Sequence, residues 1–516
     1  MYTTGTVASP TEEFPDMATR AVRSGGAMLA AKSIRYLFLV LVNFILINLL
    51  LPADFGMIRY VLLVVGIANI LNEMGLTTAI VQRKRLGSEQ LWSLVVICTL
   101  WGWLLYCGIF ILTTPLSRFF GEPALVRLLR VGALMIPVTG ISAVHRAWMR
   151  RTMRFGTLAV VEGAAAVVSA VVSVSMALSG CGVWSIVAGY LLFEGTVSIV
   201  LITICRIPFA PLQPYAQLQP VLFFGMVIII SRVIDYLLGN APFILIGKVI
   251  GKEGLGLFSV AHGMAIFPQM AINAVLGHVM LSMFSRLQGD DGRIAAGFGR
   301  LQLFGPAVMV PVLLLMALMP GELLRVISFL RHNDTWLQAV PLLRWLALMG
   351  IMYVATTFSN AVWLSLGKVK ESIAVSIAMF CTIIVAIGIG VRWGVEGICV
   401  ALLVRSLVVF PVYVHINYRL TGIAVRIYYR SVLPPFIAGS AMAATVLAVQ
   451  HFSTGVSMLR LSGCIAGAAT AGTGVYFLVF RLFFRSSLEQ IAAMVAMLLP
   501  GGRQTVSRPP PVSVQR

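Results

Sequence analysis

The sequence predicts an all-α integral membrane protein with about fourteen transmembrane helices, in two parallel six-helix lobes followed by two extra C-terminal helices. Three observations predict it: composition, the spacing of apolar segments and an internal repeat. Of 516 residues, 59% are hydrophobic and 11% charged, with a mean hydropathy of +0.95, whereas soluble domains carry about 25% charged residues. The net charge of +20 is scattered between apolar segments, which argues against a nucleic-acid-binding face and favours membrane lipids as partners.

Fourteen apolar segments have the length of about 20 residues that a helix needs to cross a bilayer. Their leucine, valine, alanine and glycine content suits helices, and none shows the alternation of a membrane barrel. The segments are 27–51, 58–81, 91–114, 123–144, 157–179, 183–205, 221–246, 255–283, 301–321, 338–363, 371–391, 395–417, 431–450 and 461–483.

Lysine and arginine predict the orientation. With a cytoplasmic N-terminus, 24 of the 38 fall on the inner side, nine on the outer side, Arg59 among them, and five within segments. Cytoplasmic loops carry the excess of basic residues in membrane proteins. We therefore expect a multi-pass protein of the bacterial inner membrane with both termini in the cytoplasm.

An internal repeat predicts the two lobes. "VRLLRVGALM" at 126–135 recurs as "VPLLRWLALM" at 340–349, with seven of ten positions identical at an offset of 214. "GVWSIV" at 182–187 recurs as "GVEGIC" at 394–399, and Tyr36 and Gly56 match Tyr236 and Gly256 at an offset of 200. Six segments per repeat is an even number, so both repeats enter the membrane in the same direction, with a cavity expected between them.

The predicted organisation follows from this repeat. It comprises a cytoplasmic N-terminal segment (1–26), an N-lobe (27–206), a cytoplasmic linker (207–220), a C-lobe (221–419), two extra helices (430–483) and a cytoplasmic tail (484–516).

Three stretches carry a family resemblance: "AIVQRKRLGSEQL" at 79–91, the run from "RFFGEPALVRLLRVGALM" to "HRAWMRRTMRF" at 118–155, and "GLGLFSVAHGMAIFPQMAINAVLGHVMLSMFSRLQGDD" at 254–291. They resemble the polysaccharide transporter family, Wzx-type flippases of the multidrug/oligosaccharidyl-lipid/polysaccharide (MOP) superfamily. The resemblance implies a MATE-like fold, alternating access, and an undecaprenyl-pyrophosphate-linked oligosaccharide as cargo for exopolysaccharide or lipopolysaccharide biosynthesis. It also makes a polysaccharide polymerase a candidate partner, and we expect a monomer.

The chain departs from these relatives in its seventh segment. Relatives often carry an arginine and an aspartate just before "LIG", where this chain has Gly239 and Pro242. Arg232 and Asp235 lie further back instead, so the arrangement of charges must come from this sequence.

Charged residues inside segments are the candidate site, because each costs about 2.5–3.5 kcal/mol at the bilayer centre and usually faces the bundle interior. They are Arg35, Glu73, Glu194, Arg232, Asp235 and Arg405. Arg232 and Asp235 are three residues apart and can pair, and Arg35 matches Asp235 at an offset of 200. We expect Arg35 and Arg232 to bind the pyrophosphate and Asp235 to couple transport to an ion, with a structural ion pair as the alternative.

Two polar stripes accompany these charges. Asn69, Asn72 and Glu73 share a helix face, as do His262, Gln269 and Asn273. They predict polar groups that line the cavity, although amide side chains also hold transmembrane helices together. Glu194 and Arg405 are equally open to a structural role, and Arg130 and Arg344 to snorkelling at the outer interface.

No catalytic or metal motif occurs in the sequence. The seven cysteines show no C-x-x-C spacing, and neither a P-loop nor G-x-S-x-G is present. We expect no enzymatic activity and no cofactor, with energy drawn from the substrate gradient or from protons or sodium. Two alternatives remain: a drug or cation antiporter, which would favour a more acidic cavity, and a membrane glycan polymerase or ligase, which usually needs a longer outer loop than 321–338.

Overall fold

The computed structural model describes residues 42–73, 80, 87–213, 215–286, 291–327, 334–452 and 458–498. Within these ranges the chain is helical apart from turns and short irregular stretches, the longest at 206–213, and no strand occurs. The helices are α1 (42–49), α2 (Pro52–Asn72), α3 (Ser88–Phe120), α4 (Leu125–Gly132), α5 (Met135–Arg151), α6 (Phe155–Leu178), α7 (Val183–Cys205), α8 (Tyr215–Val249), α9 (Lys252–Arg286), α10 (Asp291–Leu318), α11 (Pro320–Ile327), α12 (Val340–Val354), α13 (Ser359–Ser365), α14 (Val369–Gly390), α15 (Gly394–Thr421), α16 (Val425–Phe452), α17 (Met458–Phe483) and α18 (Arg485–Leu498).

The predicted apolar segments fall on helices over most of the described chain, with breaks at 133–134 inside segment 123–144 and at 355–358 inside segment 338–363. In hydrocarbon every backbone N–H and C=O must be bonded within the protein, which a helix achieves alone. In the described ranges, nine helical stretches are long and apolar enough to cross a membrane, or ten if α17 and α18, bent by 114°, count as one. The all-α membrane fold is confirmed, while the count of fourteen crossings stays a prediction.

The helix boundaries repeat at the predicted offsets. α5 and α13 end at Arg151 and Ser365, and α6 and α14 begin at Phe155 and Val369, each pair 214 residues apart. The matching glycines before α7 and at the start of α15, Gly182 and Gly394, both have positive φ, at 52° and 71°. A side chain is strained in this left-handed region, which explains glycine at both junctions.

Gly56 and Gly256, predicted to be equivalent, form a reciprocal contact between the beginnings of α2 and α9. A Cβ on Gly56 would stand 1.8 Å from the carbonyl oxygen of Lys252, and a Cβ on Gly256 would stand 1.8 Å from that of Pro52. Both pairs keep the offset of 200, as twofold symmetry between the repeats requires. Only glycine lets the two backbones approach so closely.

The chain forms two compact units. The first contains the described residues up to Ala261, with Leu324–Leu342 and Ile383–Ile398; the second contains His262–Leu323, Leu343–Thr382 and the described residues from Cys399. The predicted lobe boundaries stay a prediction.

In the first unit, hydrogen bonds from buried side chains to backbone carbonyls join the helices. The Tyr60 hydroxyl on α2 donates to the carbonyl of Gly247 on α8 at 2.8 Å. The Asn72 amide donates to the carbonyl of Ile136 on α5 at 2.9 Å. Such bonds leave few polar groups unpaired within the membrane.

The stretch at 206–213 contacts the beginning of α3 through hydrogen bonds and an aromatic pair. The backbone N–H of Gln213 donates to the Ser93 hydroxyl at 2.9 Å, and its side-chain amide donates to Glu89 at 3.0 Å. The Phe209 ring meets Trp92 edge-on, with centroids 4.4 Å apart. The linker between the predicted lobes is therefore held by the first of them.

In the second unit, the extra helices α16 and α17 pack on α10. Met442, Val446 and Phe480 are buried against Val310 and Leu313. These contacts make α16 and α17 part of the core of this unit.

The chain breaks between α12 and α13, also in the second unit. The freed carbonyl of Ala355 accepts hydrogen bonds from Gln302 and Tyr428, so the break keeps its backbone satisfied.

Candidate functional site

The candidate site centres on an ion pair between α2 and α8. Glu73 directly follows α2, and its Oε2 accepts a hydrogen bond from Nη1 of Arg232 on α8 at 2.7 Å. The Arg232 side chain is 44% exposed and that of Glu73 49%. Two oppositely charged groups therefore meet at an open place within the spanning helices.

Asp235 does not take the expected role of partner to Arg232, and the structure corrects that prediction. Asp235 is exposed and forms no hydrogen bond or ion pair with the described residues. Pairs three or four residues apart in a helix are stronger when the acid precedes the base, because side chains lean towards the N-terminus. Here the arginine comes first, and Glu73 is the better-placed acceptor.

The polar stripe of α2 is divided between two neighbours. The Asn72 amide is 2% exposed and donates to the Thr139 hydroxyl at 3.1 Å. That hydroxyl donates to Asn69 Oδ1 at 3.1 Å. The two amides therefore hold α2 against α5, and only Glu73 reaches α8.

One residue of the polar stripe on α9, Gln269, also joins two elements of the fold. Gln269 is 6% exposed and donates to the Thr357 hydroxyl at 2.7 Å, after the end of α12. His262 is half-buried and has a polar or electrostatic partner. Asn273 lies on α9, and its side chain is outside the described residues, as is the whole of Arg35.

Two other embedded charges have structural partners. Arg146 on α5 donates to Glu194 on α7, with both side chains about one-fifth exposed. Arg405 on α15 donates to the Thr382 hydroxyl at 2.7 Å and to the carbonyl of Met379 at 2.9 Å. These contacts join adjacent helices and involve none of the residues at the Glu73–Arg232 pair.

The two arginines of the repeated phrase differ in their surroundings. The guanidinium of Arg130 lies over the Phe110 ring at 4.4 Å, and Arg344 is exposed. Neither arginine lies at the candidate site.

Arg59 is an embedded charge that the sequence analysis missed, because it counted Arg59, the second residue of the predicted segment 58–81, with the outer basic residues. It is the eighth residue of α2, about 10 Å along the helix. It is half-buried, and its Nη2 donates to Asn240 Oδ1 on α8 at 2.8 Å. The sequence held the signal: Pro52 at the first helical position and Asp54 in the first turn indicate an earlier helix start.

Two solved transporters share this fold. The lipid II flippase MurJ, in an inward closed conformation, has a TM-score of 0.68 at 12% identity, covering 89% of this chain and 99% of that one. An inward-facing multidrug resistance MATE family transporter has a TM-score of 0.59 at 16% identity, covering 77% and 98%. The helical fold of this chain is therefore the one that the MurJ and MATE transporters adopt.

Residues 45–341, more than half of the sequence, match the family described as Polysaccharide biosynthesis protein, and the chain belongs to that family. It is 23% identical over 417 residues to the teichuronic acid biosynthesis protein TuaB of Bacillus subtilis (strain 168), covering 78% of this chain and 84% of TuaB. It is 28% identical over 323 residues to the succinoglycan biosynthesis transport protein ExoT of Rhizobium meliloti (strain 1021), covering 61% and 63%. The predicted polysaccharide biosynthesis family is confirmed, and the protein is a multi-pass membrane protein of that family.

Proposed function

We propose that this protein moves undecaprenyl-pyrophosphate-linked oligosaccharide units across the bacterial inner membrane by alternating access. The observation that carries the proposal is the exposed Glu73–Arg232 pair among the spanning helices. Charges exposed to lipid would be costly, so the pair faces water. A water-accessible arginine in a polysaccharide transporter is suited to an anionic, lipid-linked glycan.

Arg232 supplies the pyrophosphate contact in this mechanism. Guanidinium donors match phosphate oxygens in pairs. One nitrogen of Arg232 donates to Glu73, so arriving pyrophosphate competes with Glu73 for the arginine. Arg35, outside the described residues, is the second proposed cation.

Displacement of Glu73 provides the proposed coupling step. The freed carboxylate lies on the side of α8 that also carries the exposed Asp235, one turn from Arg232. Pyrophosphate brings further negative charge, which favours uptake of a proton or sodium ion by one of the carboxylates. Release of cargo on the other side would let Glu73 recapture Arg232 and expel the ion.

The orientation rests on the distribution of basic residues. Removing Arg59, which lies about 10 Å along α2, from the outer group leaves 24 basic residues inside and eight outside. The bias still places both termini in the cytoplasm, so the protein collects cargo on the cytoplasmic face.

Charge reversal tests the role of Arg232. Arg232→Ala should leave a folded, inserted protein while lipid-linked units accumulate on the cytoplasmic face of the membrane. Combining Glu73→Arg with Arg232→Glu should restore the ion pair but not export, because the cation is displaced from the pyrophosphate position. Arg130→Ala, which removes an arginine away from this pair, serves as the matched control and should export normally.

Two results would contradict the proposal. Wild-type export by Arg232→Ala would remove Arg232 from the mechanism. Full export by the reversed pair would show that the ion pair only joins α2 to α8.

A further inference from the structure

Arg59 is a membrane-embedded arginine without an acidic partner in the described part of the chain. Its Nη2 donates to Asn240 Oδ1 at 2.8 Å, and its Cζ lies 3.6 Å from the centroid of the Phe243 ring. No described carboxylate forms an ion pair with it. The other embedded arginine between α2 and α8, Arg232, has Glu73 as its counter-charge, so the two sites differ in net charge.

The guanidinium of Arg59 is held in a defined orientation. The Asn240 amide donates to the carbonyl of Tyr236 at 2.8 Å, which turns Oδ1 towards Arg59. Phe243 covers one face of the guanidinium, and Nε is enclosed without a hydrogen-bond partner. Nη1 is not among the enclosed atoms and makes no hydrogen bond with the described residues. One edge of a preorganised cation therefore remains available to an oxyanion.

The surroundings of this edge suit a sugar. Tyr190 on α7 interacts electrostatically with the guanidinium, and the residue is 41% exposed. An aromatic ring offers an apolar face and a hydroxyl together, and the Asn240 amide adds a planar polar group. The combination matches a ring that carries hydroxyl groups and a negative charge.

The distance between the two arginine sites indicates which anion is bound. Arg59 and Glu73 are 14 residues apart along α2, about 21 Å of helix. A pyrophosphate held by Arg232 contains only two phosphorus atoms and cannot also reach Arg59, whereas a glycan attached to it can. We propose that Arg59, positioned by Asn240 and Phe243, binds the carboxylate of an acidic sugar within the transported glycan. This rests on the function proposed above and narrows the cargo to acidic oligosaccharides.

Binding of three synthetic probes to the purified full-length protein tests the inference. The probes are farnesyl diphosphate, the same diphosphate bearing a linear triglucose, and that trisaccharide with glucuronic acid as its terminal sugar. We expect the wild type to bind the acidic probe about tenfold more tightly than the neutral one, as for a charge-assisted hydrogen bond. Arg59→Gln should abolish this ratio while leaving the affinity for farnesyl diphosphate unchanged.

Two further variants separate the roles. Arg232→Gln should weaken binding of all three probes and preserve the ratio of acidic to neutral. Arg130→Gln is the matched control, because Arg130 also lies over a phenylalanine ring and also has an enclosed Nε without a partner. It should change neither the affinities nor the ratio.

Each of the other outcomes would refute one part of the proposal or of the function on which it rests. An unchanged ratio in Arg59→Gln, or none in the wild type, would assign Arg59 to packing alone. An equal loss for all three probes in Arg59→Gln would make Arg59 a pyrophosphate ligand and refute the acidic-sugar assignment. Failure of the wild type to bind any probe would refute the proposed function itself. If Arg59→Gln does not fold, Asn240→Ala, which releases the orientation of the guanidinium, should reduce the ratio, and an unchanged ratio there would equally refute the proposal.

Discussion

Replacing Gly56 by alanine should force apart the beginnings of α2 and α9. The added Cβ would stand 1.8 Å from the Lys252 carbonyl oxygen, whereas Cβ atoms in proteins essentially never approach closer than 3.0 Å. The contact must lengthen by at least 3.0 − 1.8 = 1.2 Å, and a backbone carbonyl within a helix cannot rotate away as a side chain can. Overpacking typically costs 1–3 kcal/mol, and we expect about 3 kcal/mol here.

The thermal unfolding midpoint of the purified protein measures this cost. Gly163→Ala on α6 is the matched control, because its Cβ would meet nothing within 4 Å and alanine favours a helix by about 0.5–1 kcal/mol. Gly256→Ala should resemble Gly56→Ala, since the contact is reciprocal. The double variant should cost less than the sum of the single ones, because the first separation of the helices accommodates the second methyl group. Equal midpoints for Gly56→Ala and Gly163→Ala, or strict additivity in the double variant, would refute this reasoning.

Three further outcomes follow from the described contacts. In a protein without other cysteines, Cys181 should react with an impermeant maleimide from outside, while a cysteine replacing Thr152 should react only after permeabilisation; the reverse pattern would invalidate the orientation. Glu194→Gln should lower stability in thermal unfolding by about 2 kcal/mol, since it leaves the largely buried Arg146 without its counter-charge, and an unchanged midpoint would show that the pair contributes little. Tyr476→Phe should cost about 1–2 kcal/mol by leaving a buried backbone carbonyl of α10 unpaired, and a neutral effect would mean that another donor replaces the hydroxyl.

Sequence alone predicted the helices well because lipid exposure imposes a simple rule. A span must be apolar over its full length, so the segment predicted at 183–205 has the bounds of α7. The second segment was placed six residues late, at 58 rather than Pro52, because "PADFGM" is less apolar than the rest of α2. That shift made Arg59 the second residue of the predicted segment, where it was counted with the outer basic residues.

The site was less predictable because its partners are distant in the chain. Glu73 and Arg232 were both identified as embedded charges, but their pairing joins residues 159 positions apart. Periodicity shows which residues share one helix face and not which neighbouring helix that face meets. The division of Asn72 and Glu73 between α5 and α8 depends on the packing of three helices, which no local pattern records.

The contacts of the stretch at 206–213 indicate how two copies of one repeat can be joined in a single chain. A repeat with an even number of crossings ends on the side where it began, so two tandem copies need only a connection along one face of the membrane. Eight residues reach at most about 26 Å, and the described contacts of Gln213 and Phe209 all lie on the first copy. The connection therefore packs as the C-terminal end of a single repeat would. A gene divided after residue 213 would encode two fragments. The first fragment would contain both Phe209 and Gln213 and the residues of α3 that they contact.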